Sequence, residues 1–126
     1  MILADTNIII DFWRSPHELI ARIFETEDVA ICGVVKAELL HGARSSEDCQ
    51  RILRALADFP CVDMEKSDWD SLGSHLYRLR AHGVSVPFQD VIIATLALSH
   101  GASVWTNDKH FALIKNVLTD IQLYGK

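Results

Sequence analysis

The chain has 126 residues, which is room for one domain with a real hydrophobic core. Seventeen Asp and Glu against twelve Lys and Arg give a formal net charge of −5, which excludes a broadly basic face for nucleic acid. The apolar runs fall short of the roughly 20 residues a membrane span needs.

The N-terminus, Met1-Ile2-Leu3-Ala4-Asp5, has no basic region and no cleavage-type pattern, so no signal peptide is expected. The three cysteines (Cys32, Cys49, Cys61) have no CxxC spacing and fit reduced thiols in a cytoplasmic protein.

In chain order, Ile2-Leu3-Ala4 reads as a short buried strand ending at Asp5. Asp5-Thr6-Asn7 are turn and cap formers, and residues 8–13 continue as a short helix. Ser15-Pro16-His17-Glu18 has the form of a capping box with proline at the first helical position. The helix it opens would carry Leu19, Ile20, Ile23 and Phe24 on one face. Residues 28–32 predict a second strand, ended by Gly33. Residues 34–43 predict a helix that is apolar nearly all round, broken by Lys36, Glu38 and His41.

Ser45 or Ser46 caps the next helix, with Ile52, Leu53, Leu56 and Ala57 inward. Cys61-Val62 is a short third strand. Ser67 caps a long amphipathic helix with Trp69, Leu72, Leu76 and Leu79 inward, stopped by Gly83. After Pro87 comes a helix with an almost wholly apolar surface, ending at Gly101, with Asp90 in its first turn. Residues 103–106 predict a fourth strand, and Asn107-Asp108 open a short helix through Ile114. Residues 117–124 contain a last strand. Strands alternating with helices predict an α/β fold, with a mostly parallel central sheet of four to five strands, helices on both faces, and one domain over residues 1–126.

Four acids stand where such a sheet places its ligands, outside the carboxyl ends of the strands. Asp5 directly follows the first strand, Glu38 lies in the second turn of the helix after the second, Asp90 opens the helix before the fourth, and Asp108 follows the fourth. Each also has a local explanation. Asp5 suits a turn, Asp90 and Asp108 suit helix caps, and Lys36 or Arg44 is near enough in sequence to pair with Glu38. Together they carry a cost, because two like charges about 4 Å apart repel by roughly 4 kcal/mol at an effective dielectric near 20. A shared divalent cation removes that cost, and an oxygen donor set without a histidine or cysteine pattern points to Mg²⁺ or Mn²⁺.

A cluster of this size can hold two ions that clamp a phosphate and activate water. Without these four, thirteen acids remain against twelve basic residues, so net charge does not oppose a nucleic-acid substrate. Thr6, Asn7 and Thr106 are placed to orient the carboxylates, and read equally well as local turn and cap residues. Asp11 and His110 read as surface residues. The tryptophans Trp13, Trp69 and Trp105 read as core or interface. Arg14, Lys36, Arg44 and Lys109 are near enough in sequence to meet a phosphate backbone.

Leu3-Ala4-Asp5-Thr6-Asn7, Val35-Lys36-Ala37-Glu38-Leu39-Leu40-His41-Gly42-Ala43, Phe88-Gln89-Asp90-Val91-Ile92-Ile93-Ala94 and Val104-Trp105-Thr106-Asn107-Asp108-Lys109-His110-Phe111 together resemble PIN-domain ribonucleases, most closely the VapC-type toxins of toxin–antitoxin pairs. The resemblance spans essentially the whole chain. It implies a Mg²⁺- or Mn²⁺-dependent endoribonuclease in which Asp5, Glu38, Asp90 and Asp108 form the acidic quartet and Thr106 lies near the metal. It also implies a homodimer and a cognate antitoxin that covers the site, commonly with a basic side chain among the carboxylates. Val91 departs from the alanine of many relatives, a matter of packing.

The alternatives are a PIN-like RNA-processing nuclease without antitoxin, a non-catalytic metal-binding module, and a phospho-receiver. The last lacks a convincing acceptor after its middle strand, where Asp63 is poorly placed.

Overall fold

A computed structural model describes residues 1–125. Five parallel strands form one sheet in the order β3-β2-β1-β4-β5: β1 (Ile2–Ala4), β2 (Val29–Cys32), β3 (Cys61–Val62), β4 (Ser103–Trp105) and β5 (Gln122–Leu123). Seven helices lie between them in chain order: α1 (Thr6–Arg14), α2 (Glu18–Thr26), α3 (Gly33–His41), α4 (Ser46–Leu56), α5 (Lys66–Ala81), α6 (Phe88–His100) and α7 (His110–Val117).

The chain first works outward from β1 to β2 and β3, then returns to the other side of β1 to lay down β4 and β5. Right-handed crossovers in these two directions put the two groups of helices on opposite faces. Accordingly α3 packs against both α1 and α4, while α5, α6 and α7 pack with one another. The reversal falls between β1 and β4, where Ala4 is in register with Trp105. That makes the ends of these two strands the switch point of the sheet, where an open α/β fold leaves a crevice.

The central strands are buried on both sides. Leu3, Ala4, Ala30, Ile31 and Val104 are at most 1% exposed. α6 is the core helix, with every residue from Asp90 to Ala97 buried. Its polar Thr95 donates to the Val91 carbonyl at 2.8 Å, and the ring Nδ1 of His75 on α5 lies 2.9 Å from the same hydroxyl. The interior hydroxyl is thereby satisfied and α5 is keyed to α6. α6 ends on Gly101 in the left-handed conformation at φ 62°, which a side chain resists. On the other face Phe24 of α2 packs against Phe12, Phe59 and Trp105, with ring centroids 5.1, 5.5 and 5.2 Å away, which docks α2 on the sheet.

Several local expectations are corrected. Ser15 does not start α2, because its N–H still closes α1 onto the Asp11 carbonyl at 2.9 Å. The helix starts at Glu18, capped by the His17 ring, which accepts from the Leu19 N–H at 3.2 Å. Gly33 does not separate strand from helix but is the first residue of α3. α5 is capped by Glu65 rather than Ser67, through a reciprocal box in which Asp68 accepts from the Glu65 N–H at 2.8 Å. Trp69, expected inward, is 53% exposed, while Leu72 and Leu79 are buried.

α7 starts at His110, so Asp108 sits in the preceding loop, and the helix runs past Ile114 to Val117; the last strand expected within residues 117–124 is β5. Replacing Ile93, fully buried in α6, with alanine should cost about 2–5 kcal/mol. Urea unfolding of Ile93→Ala beside the parent chain measures this.

Candidate functional site

Asp5 is set where β1 becomes α1. Its backbone N–H closes on the Trp105 carbonyl at 2.9 Å, a continuation of the β1–β4 pairing. Its carboxylate caps α1, with Oδ1 accepting from the Thr6 N–H at 2.8 Å. Oδ2 accepts from the Thr106 hydroxyl at 2.8 Å and from the Asn7 amide at 3.1 Å. The residue is 4% exposed.

Asn7 and Thr106 in turn hold the loop after β4. Asn7 Oδ1 accepts from the Asn107 N–H at 3.0 Å, and Thr106 Oγ1 accepts from the Asp108 N–H at 2.9 Å. Asn107 also donates to Asp11 at 3.1 Å, which ties the expected surface acid to this loop. One hydrogen-bonded lattice therefore fixes Asp5 and aims the chain at Asp108.

Asp90 reaches the same place from the other face of the sheet. It lies in the first turn of α6, 6% exposed, with its backbone N–H on the Pro87 carbonyl at 3.1 Å. A helix N-terminus favours a carboxylate there. Asp108 Oδ1 accepts from the His110 N–H at 2.9 Å. The His110 ring then completes the group, its Nδ1 lying 2.9 Å from Asp90 Oδ2 and 3.0 Å from Asp108 Oδ1. One donor atom each from Asp90, Asp108 and His110 lies within 4.8 Å of the other two. Glu38 stands apart from this trio on the exposed side of α3, close enough to Asp5 for each charge to act on the other.

Burial first, and then the charges of Asp5 and Asp108, push the Asp90 carboxyl up to about 6, against the lowering effect of the His110 hydrogen bond and charge. Burial also raises Asp5, outweighing its hydrogen bonds from Thr106, Thr6 and Asn7, and Asp108 adds like charge. Glu38 is raised by burial and by Asp5, eased by the nearby Thr6 hydroxyl. That hydroxyl approaches Glu38 without forming a well-directed hydrogen bond. Thr6 Oγ1 is the buried side-chain polar atom left without a partner among the described residues.

No lysine or arginine among the described residues pairs with any of the four acids. Lys36 acts on Cys61 instead, and the Arg44 charge acts on Asp48. Carboxylates met by one imidazole but by no lysine or arginine, beside an unsatisfied hydroxyl, are a donor set that a divalent cation fits.

The sequence reading missed His110, which it placed on the surface. The ring is 40% exposed, yet its inner nitrogen faces two of the acids. The available signal was its position two residues after Asp108, at the start of a helix whose next residue, Phe111, is fully buried.

The raised Asp90 has a consequence for stability without divalent ions. The folded chain binds this proton more tightly than the unfolded chain does. Stability is therefore greatest below the ordinary value of 3.8 and is lost as pH rises through about 6. Thermal unfolding in chelator from pH 4 to 7 should show that decline, and Asp90→Asn should flatten it.

The PIN domain profile matches residues 2–117. The chain is 27% identical over 130 residues to Ribonuclease VapC11 of Mycobacterium tuberculosis and to VapC ribonuclease Mb1587 of Mycobacterium bovis, covering 97% of this chain and 96% of each relative. Among solved structures it is similar to VapBC-1 from nontypeable Haemophilus influenzae, with a TM-score of 0.79, 26% identity and coverage of 98% and 96%. It is also similar to DNA-bound VapBC from Salmonella typhimurium, with a TM-score of 0.82, 25% identity and coverage of 97% and 95%. With the profile spanning all but the edges of the sequence, the chain belongs to the PIN-domain family.

Proposed function

We propose that this chain, as one nuclease domain, is a divalent-metal-dependent endoribonuclease that acts in the cytoplasm as the toxin of a toxin–antitoxin pair. The observation that carries the proposal is the meeting of Asp5, Asp90 and Asp108 at the switch point of the sheet, with Glu38 beside Asp5 and no lysine or arginine among the described residues to offset them. The names of the relatives, VapC ribonucleases and VapBC complexes, support the substrate class and the partner.

In this proposal Asp5, Asp90 and Asp108 hold Mg²⁺ or Mn²⁺, and Glu38 adds a carboxylate on the α3 side of Asp5. A cation bound there supplies Lewis-acid activation of water and of the scissile phosphate. The protein's own part is preorganisation. Thr106, Asn7 and the Thr6 N–H hold the Asp5 carboxylate in one orientation before substrate arrives. Thr106 holds the Asp108 backbone by the same hydroxyl, so one side chain sets the spacing of two carboxylates. The exposed Arg14, Lys36, Arg44 and Lys109 lie on elements that flank the site and give the RNA backbone its contacts.

The proposed seat of the antitoxin is a groove on the α1 side. The groove, of about 440 Å³ between α1 and α4, is lined by Phe12, Trp13, Pro16, Ile52 and Ala55, with Arg14 and Arg51 at its edges. Trp13 is 39% exposed there, as an anchor for a partner segment would be. A homodimer of the chain completes the proposed assembly.

Four outcomes test the proposal. Chelation should stop RNA cleavage by the purified chain and added Mg²⁺ or Mn²⁺ should restore it; cleavage persisting in chelator contradicts the metal role. Asp5→Asn should remove growth arrest on expression, and Thr106→Val should lower cleavage by about 10–100-fold with the circular dichroism unchanged. Trp13→Ala should weaken binding of the protein encoded beside this gene by about 2 kcal/mol in calorimetry, with cleavage retained. Absence of any such neighbouring partner would favour an RNA-processing nuclease that works alone.

A further inference from the structure

We propose that His110 is a nitrogen ligand of the bound cation and tilts this centre from Mg²⁺ toward Mn²⁺. The inference deepens the metal-dependent reading above and relies on it for the presence of a cation.

The ring is firmly held. His110 is the first residue of α7, and its backbone N–H is fixed on Asp108 Oδ1 at 2.9 Å. The next residue, Phe111, is fully buried and anchors that end of the helix. The ring is thus delivered by rigid backbone, with Nδ1 at the junction of two carboxylates from different elements, Asp90 on α6 and Asp108 in the loop after β4.

The distances at that junction, 2.9 Å to Asp90 Oδ2 and 3.0 Å to Asp108 Oδ1, are open to two chemistries. One is hydrogen bonding, but a single ring N–H points squarely at only one oxygen. The other is shared coordination. Bonds of about 2.1 Å meeting at right angles place neighbouring donors about 3 Å apart, the spacing seen on both edges. A cation at the junction bonds all three atoms at once, where the ring proton serves Nδ1 and Asp90 Oδ2 and leaves Asp108 Oδ1 to the His110 backbone N–H.

The donor set then decides which cation. Mg²⁺ prefers oxygen and keeps its waters, and gains little from an imidazole. A first-row ion such as Mn²⁺ accepts carboxylate oxygen and takes imidazole nitrogen as well. Two carboxylates and one histidine are therefore a more selective set than the acids alone.

The experiment is pulsed electron paramagnetic resonance on the full chain loaded with Mn²⁺, prepared with natural and with ¹⁵N-labelled histidine. A nitrogen coupling of directly bound strength is expected, switching isotope with the label and vanishing in His110→Ala and in the milder His110→Asn. Calorimetry without RNA should give a Mn²⁺ over Mg²⁺ affinity ratio that drops by at least about tenfold in His110→Ala. Because the labelled parent chain is read directly, a misfolded variant does not remove the test.

Bound Mn²⁺ with no histidine coupling, while cleavage is intact, overturns this inference and leaves the nuclease reading standing. A coupling that survives in both variants also overturns it, since another histidine is then the ligand. No Mn²⁺ binding at all overturns both.

Discussion

The structure turns on the repulsion among carboxylates gathered at one end of a parallel sheet. Asp5, Asp90 and Asp108 come from three segments distant in sequence, and each feels the charge of at least one of the others. Elsewhere in the molecule acids are handled in the ordinary way: Asp48 pairs with Arg51, and Asp68 closes a helix cap. At the switch point they meet hydroxyls, amides and one imidazole, but no lysine or arginine among the described residues. Holding this set together costs the fold stability, and a divalent cation at the proposed centre would offset that cost.

The means of assembly is topological before it is chemical. The register of Ala4 with Trp105 brings Asp5 beside Thr106, and the 2.8 Å bond between them locks the crevice on one side. The buried α6 brings Asp90 in from the opposite face, which explains why an otherwise apolar helix carries an acid in its first turn. Because these positions are set by core packing, the site is rigid where it holds its ligand.

Much of this was legible in the sequence because it depends on local signals. Strand–acid junctions such as Ala4-Asp5 and the proline before the Asp90 helix mark their elements directly, and alternating strands and helices leave few topologies. Legibility failed where two local signals competed. Ser15-Pro16 looks like a helix start but closes the helix before it, and Glu65 outcompetes Ser67 because Asp68 can answer it from three residues on. His110 failed for a different reason. Its role depends on Asp90, twenty residues earlier on a separate helix, and no pattern within its own segment carries that contact.

The most direct measurement is an anomalous difference map from crystals of this chain grown with Mn²⁺. The account predicts a peak within bonding distance of Asp90 and Asp108 and adjoining Asp5. A fully occupied peak elsewhere, or a well-ordered site at saturating Mn²⁺ in which each of these carboxylates is met by a lysine or arginine, would contradict it.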